Sequence, residues 1–226
     1  MERQECFLID ICGTIYRSNT TFDFMAFHFS AEPWFRRFQR VRKCRYISAI
    51  NSKIQYYFGI DIIRYVLIRH LKGYSRTELS LMVETFYNDF LKCRINKQVI
   101  EIIEKKRKEG YKLVIVSATL DCISKEIANR LNIPMQFSST LSYNSKGICN
   151  GFLQQDILGN KGKSLQSIGM VGRFEGIITD NYSDLDIIKL SRYVYLIQNE
   201  NRNFFWPSLV QKSEVDYEYI IIDEEG

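Results

Sequence analysis

Three apolar runs of this 226-residue chain end in a residue able to do chemistry: FLI stops at Asp10, LVIV at Ser117 and GIIT at Asp180. Lys161 lies between the second and third and is placed to join them. A short apolar run that stops at a polar turn is the pattern of a buried strand. Three such strands in one sheet would bring the residues to a common rim, where ligands of open α/β sheets bind. Two close carboxylates repel unless a cation lies between them, and ligation by carboxylates, carbonyls and water suits Mg²⁺. Phosphoryl transfer needs a nucleophile, charge neutralisation by metal and lysine, and donors on the equatorial oxygens. Two carboxylates, a hydroxyl and an ammonium group meet each need.

The elements that must hold these residues are legible as changes of period. Cys6 to Ile9 reads as a first strand, with Gly13 in the turn after it. Residues 17 to about 95 then read almost entirely as helix, since Phe22, Met25, Ala26 and Phe29, and later Leu79, Val83, Phe86 and Phe90, recur every three or four positions. From residue 96 the texture alternates. A helix from Lys97 to Lys108 stops at Gly110, the strand KLVIVS follows, and a second helix runs from about Asp121 to Leu131. FSSTLSYNSKGICNGFL reads as a hairpin turning between Asn144 and Gly147. A lysine-bearing segment at 159–168 opens a helix, and then come GIITD, a helix through Lys189, YVYLI and a last apolar run, YIIID, at 219–223. Strands separated by helices imply a mostly parallel, Rossmann-like α/β sheet with helices on both faces, interrupted by a helical insertion.

Composition bounds the reading further. At 46% hydrophobic and 25% charged, with 3 prolines, the chain is ordinary for a folded protein. Its start, MERQECFLID, has no signal-peptide pattern, so the cytoplasm is the expected compartment. The most apolar stretch, FGIDIIRYVLIRHL, carries Asp61, Arg64 and Arg69 and reads as a packed helix rather than a membrane span. Six scattered cysteines show no metal or disulfide spacing and read as reduced thiols, with Cys6, Cys44, Cys93, Cys122 and Cys149 as small buried apolar residues. His28 and His70 stand alone on apolar helical stretches and read as packing or surface residues. Residues 17–95 carry 14 Lys and Arg against 6 Asp and Glu, which makes the insertion basic. Within it WFRRFQRVRKCRY sets Arg36, Arg37, Arg40, Arg42, Lys43 and Arg45 beside aromatics. This reads as a solvated helix face, with an anionic substrate or a membrane surface as the alternatives and no nucleic acid expected.

Four segments in order, FLIDICGTIY, LVIVSAT, GNKGKSL and IITDNYSDLDII, resemble the haloacid dehalogenase superfamily in the branch that contains phosphoserine phosphatases and related helical-cap hydrolases. The resemblance covers residues 5–15 and 97–200 and includes the hairpin from Thr140 through Gly147 to Gly151. It implies a core domain of residues 1–16 with 96–226 and a helical cap of residues 17–95 inserted after the first strand. It implies a Mg²⁺-dependent phosphatase acting on a small phosphorylated substrate, with further anionic groups hinted at by the basic cap. Asp10 would be the nucleophile that forms an aspartyl-phosphate, with its other oxygen on Mg²⁺. Ser117 and the backbone of Ala118 would hold the phosphoryl oxygens, and Lys161, rather than Lys163, would neutralise charge. Asp180 would bind the metal and Asp184 would bind it or orient its water, while Gly13 and Thr14 would shape the loop.

One position departs from that pattern. The family's phosphatases carry a second aspartate two residues after the nucleophile as acid and base, and here that residue is Cys12. Its carbonyl can still bind the metal. Its thiol is neutral at pH 7 and a poorer proton shuttle than a carboxyl group. Slow hydrolysis, a weakened phosphate-binding protein and transfer to an acceptor other than water are therefore the alternatives at this position.

Overall fold

Successive residues of the core strands are all apolar, so each strand has to be covered on both faces. Phe7 and Ile9 belong to one buried cluster and Cys6 and Leu8 to another, while Leu113 and Ile115 side with the first and Val114 and Val116 with the second. Because neighbouring side chains of a strand point to opposite faces, this division calls for a sheet with helices on each side. The computed structural model describes residues 3–170, 172–199 and 215–222. Among them are seven strands: β1 (Arg3–Ile9), β2 (Lys112–Leu120), β3 (Met135–Tyr143), β4 (Cys149–Gln155), β5 (Arg173–Thr179), β6 (Ser191–Asn199) and β7 (Asp216–Ile222). They form one sheet in the order β4-β3-β2-β1-β5-β6-β7. Neighbours run parallel except for the β3–β4 hairpin. This is the Rossmann-like α/β sheet expected from the sequence. The last apolar run falls in β7, although Asp223 lies outside the described residues.

The chain leaves β1 at the middle of the sheet, builds β2 and β3 on one side and β5 to β7 on the other, so β1 and β5 flank the topological switch point. Helices α6 (Lys97–Lys108) and α7 (Asp121–Arg130) supply Val99, Ile103, Ile123 and Ile127 to the first cluster. Helices α8 (Lys161–Ser167) and α9 (Leu185–Ile188) supply Leu165, Ile187 and Ile188 to the second.

Between β1 and α6 the chain is helical: α1 (Thr20–Phe29), α2 (Pro33–Arg42), α3 (Arg45–Phe58), α4 (Ile62–Ile68) and α5 (Arg76–Phe86), the last running through a π-turn at Tyr87–Leu91. Side chains mark their starts. Asn19 accepts from the Phe22 N–H, Asp61 from the Arg64 N–H, and Ser75 forms a reciprocal capping box with Glu78. The aromatics of this segment suggest a core of its own, but the structure joins them to the sheet. Phe24, Met25, Leu79, Val83 and Phe86 share one cluster with Phe7 and Ile9.

Three further points differ from, or refine, the sequence reading. Strand β2 runs on past Ser117 to Leu120, but its pairing with β3 slips after Ser117↔Ser138, so Ser117 is the last residue in regular register. All six cysteines are free thiols, yet only Cys6 and Cys149 are buried, and Cys93 is exposed rather than buried. His28 meets the Met82 carbonyl at 2.9 Å and His70 stacks on Trp34, so both are packing residues as expected.

Candidate active site

Lys161 opens α8 and is 2% exposed, which no lysine tolerates without partners. Its Nζ donates to Asp10 Oδ1 at 2.7 Å and to Asp184 Oδ2 at 2.8 Å. Burial alone would lower its pKa, but the two carboxylates outweigh burial and hold it above the ordinary lysine value. Lys163 is exposed, and Lys161 is the one of the two that reaches Asp10 and Asp184. Asp10 follows β1 directly and is anchored by its own N–H, which donates to the Ile178 carbonyl of β5 at 3.0 Å.

Asp180 follows β5 and faces Asp10 across Thr14. The Thr14 hydroxyl lies 3.5 Å from Asp10 Oδ2 and 3.5 Å from Asp180 Oδ1, and accepts the Asp180 N–H at 3.0 Å. One hydroxyl proton can serve only one of the two carboxylates at a time. Gly13 has a φ of 70°, and a Cβ built on it would sit 1.9 Å from Asp180 Oδ2. The glycine is therefore required both by the turn and by the carboxylate packed on its Cα. Burial, reinforced by the charges of Asp10 and Asp184, pushes the Asp180 carboxyl up to about 8. Burial also raises Asp184, to about 6, against the pull of Lys161. Asp184 Oδ2 accepts from Lys161 and from the Thr179 hydroxyl at 2.7 Å, whereas its buried Oδ1 has no hydrogen-bond partner among the described residues.

Three carboxylates around one ammonium leave an excess of negative charge in a buried place, and a hard divalent cation would relieve it. Among the described residues no three His, Cys, Asp or Glu side chains are arranged to hold an ion by themselves. The donors present fit an ion that keeps water and takes few protein ligands: the carboxylates of Asp10 and Asp180, the carbonyl of Cys12, and Asp184 with its unpartnered Oδ1 behind them.

Cys12 and Ser117 complete the rim. Ser117 is 1% exposed, two positions beyond Ile115, which pairs with Ile9, so the register sets it level with the turn after Asp10. No hydrogen bond joins it to Asp10 or Lys161 among the described residues. The Cys12 sulfur lies 3.0 Å from the Thr20 hydroxyl, which pairs with the Thr119 hydroxyl at 2.5 Å. Burial and the Asp10 charge push the Cys12 thiol up to about 11, so it keeps its proton at neutral pH.

Sequence reasoning missed a second buried ion pair behind the rim. Arg64 of α4 is 4% exposed, donates to Asp156 at 2.8 and 3.0 Å, and also donates to the Ala118 carbonyl. Asp156 additionally accepts from the Ser139 hydroxyl at 2.8 Å and the Leu158 N–H at 3.1 Å. Arg64 therefore ties the helical segment to the backbone after Ser117 and to the loop that leads to Lys161. Its signal was present: Arg64 lies three and four residues before Leu67 and Ile68, on the buried stripe of α4. Asp186 was missed as well; it accepts the Gly162 N–H at 2.6 Å and so steadies the first turn of α8 next to Lys161.

No curated protein matches the chain in sequence. Its fold is similar to that of a protein of unknown function from Bordetella pertussis Tohama I, at 14% identity and a TM-score of 0.71, covering 96% of this chain and 97% of that one. It is similar to a substrate-bound phosphoserine phosphatase at 15% identity and a TM-score of 0.62, covering 96% and 94%. A cytosolic 5'-nucleotidase IIIB bound to cytidine matches at 12% identity and a TM-score of 0.58, covering 97% and 80%. At such identities these likenesses concern the fold. Among the described residues no helix is long and apolar enough to cross a membrane. The model of the haloacid dehalogenase-like hydrolases matches residues 7–187, through all four segments that bear the site, and the chain belongs to that family.

Proposed function

We propose that the protein is a Mg²⁺-dependent phosphatase of small phosphate monoesters that works through an aspartyl-phosphate on Asp10. The observation that carries this is the buried Lys161 clamped between Asp10 at 2.7 Å and Asp184 at 2.8 Å, with Asp180 across Thr14. It provides a nucleophile paired with a fixed cation, beside a carboxylate whose raised pKa calls for a second one. When bound, Mg²⁺ would neutralise charge on the transferring phosphoryl group, held by Asp10, Asp180 and the Cys12 carbonyl, with Asp184 behind them. Asp10 attacks phosphorus, the bond to the leaving oxygen breaks, and water then attacks the acyl phosphate to release phosphate and restore Asp10. Lys161 keeps Asp10 oriented through both steps, and Ser117 with the Ala118 N–H takes the phosphoryl oxygens.

Residues 17–95 serve as a helical cap on a core of residues 1–16 and 96–226, shielding the site and selecting the substrate.

Cys12 limits the second step. Its protonated thiol, held by Thr20, cannot serve as the base for water, and general acid–base catalysis is worth about 10²–10⁴ in rate. This favours slow hydrolysis, and a faster transfer to an acceptor other than water is the second reading. The test is phosphate release from a panel of monoesters with Mg²⁺, comparing wild type with Cys12→Asp. Slow release by the wild type that rises toward that factor in Cys12→Asp supports the reading. Unchanged release in Cys12→Asp removes Cys12 as the limit, and faster wild-type release on adding alcohol acceptors favours transfer.

A further inference from the structure

Helix α3 is fixed to the protein without being buried in it. Every residue from Arg45 to Ile50 is exposed, and none of the described side chains of α3 is buried. Its hold is polar: the Asn51 amide donates to Asp61 Oδ1 at 3.0 Å, and the Ile63 N–H donates to Asn51 Oδ1 at 3.2 Å. Helices of this length are ordinarily kept by burying an apolar face, and the described apolar side chains of α3 stand exposed or half-buried. Tyr46, Ile50, Lys53 and Tyr57 stand at i, i+4, i+7 and i+11, one line along the helix. Tyr46 is 80% exposed, Ile50 59% and Tyr57 74%. The apolar surface goes on beyond α3, where Ile60, Ile62 and Val66 border one hollow with Phe152 of β4.

The charge around this line is of one sign. From Pro33 to Ile60 there are seven Lys and Arg and no Asp or Glu. Arg36, Arg37, Arg40, Lys43, Arg45 and Lys53 are exposed, and none forms an ion pair with a described residue. Exposed tyrosines and aliphatics set among uncompensated cations match the boundary of an anionic bilayer, where rings and methyl groups enter below the headgroups and cations meet the phosphates. A second copy of the chain fits poorly, because an isologous contact would press two basic faces together. Nucleic acid would use the cations and leave Ile50, Ile62 and Phe152 without a role.

We propose that α2 and α3 form a docking surface for an anionic membrane, with α3 lying in the headgroup layer. The inference is independent of the chemistry at Asp10. The test is co-sedimentation of the full-length protein with vesicles of phosphatidylglycerol or of phosphatidylcholine, at low and high salt. The protein should bind phosphatidylglycerol, lose that binding as salt rises, and leave phosphatidylcholine unbound. Ile50→Asp should weaken binding by roughly tenfold or more, the effect of withdrawing one aliphatic side chain from an apolar layer. Arg36→Gln with Arg37→Gln should weaken it by about fivefold for each cation removed. These side chains are exposed, so unchanged circular dichroism should accompany the loss. No binding to phosphatidylglycerol, equal binding to both lipids, or wild-type binding by Ile50→Asp would each overturn the proposal. So would a dimer in solution that Ile50→Asp dissociates.

Discussion

Asp180 and Asp184 keep their protons well above the ordinary aspartate range, to about 8 and about 6, burial being the main cause in both. An aspartate whose pKa rises on folding binds, in the folded chain, a proton that the unfolded chain has already released. Stability therefore falls as pH rises from the unfolded value of 3.8 to the folded ones. Lys161, held above its ordinary 10.5, adds stability that persists below that value, so it does not alter the window. The melting temperature of the chelator-treated protein should fall between about pH 4 and about pH 8, by about 2–4 °C for each kcal/mol lost. Mg²⁺ should raise it, most at the upper end, where the carboxyls have released their protons and their mutual repulsion is what a cation relieves. A melting temperature that stays level or rises over that range contradicts the account. Gly13→Ala tests the same carboxylate sterically: a Cβ 1.9 Å from Asp180 Oδ2 must displace it, so Mg²⁺ affinity measured by calorimetry should drop at least about tenfold. At this scale Asp10, Lys161, Asp180 and Asp184 were legible because each sits in a short contiguous motif. Asp156, Thr20 and Thr119 were not, because their contacts join segments far apart in the chain and no local pattern records them.

The elements set where these residues meet. Helix α4 delivers Arg64 into the ion pair with Asp156, and removing one partner of a buried pair leaves the other charge unpaired. Arg64→Met should cost about 3–5 kcal/mol in urea unfolding, and Arg64→Met with Asp156→Leu should regain much of that loss. A double variant as unstable as the single one would mean that the Ala118 carbonyl, rather than Asp156, is what Arg64 serves. Strand periods and the β3–β4 hairpin could be read from the sequence, the hairpin from the turn signal at Asn144, whereas the helix starts at Asn19, Asp61 and Ser75 are seen in the structure. The slip of β2 after Ser117 could not be read from the sequence, because a bulge is fixed by the partner strand, and Ser117, Ala118, Thr119 and Leu120 include no glycine or proline to mark it. The exposure of α3 was also hidden: its apolar positions recur at helical spacing whether or not anything covers them.

For the molecule as a whole, alternation of strands and helices was enough to specify a mostly parallel sheet with helices on both faces, whereas the place of β1 at its centre is read only from the strand order. Whether the segment between β1 and α6 would stand apart or share the sheet's core was not legible. Phe24 and Phe86 join Phe7 and Ile9 in space, and their spacing reports only that they are buried somewhere. The proposed site lies at the carboxyl ends of β1 and β5, beside the switch point of the sheet. The proposed mechanism turns on a covalent bond between phosphate and Asp10. It is tested by mixing the protein with a good phosphomonoester substrate and Mg²⁺, quenching within the first turnovers, and locating covalent phosphate by peptide mass spectrometry. Phosphate is expected on the peptide carrying Asp10, more of it in the wild type than in Cys12→Asp, and none in Asp10→Asn. Phosphate release that persists in Asp10→Asn would contradict it.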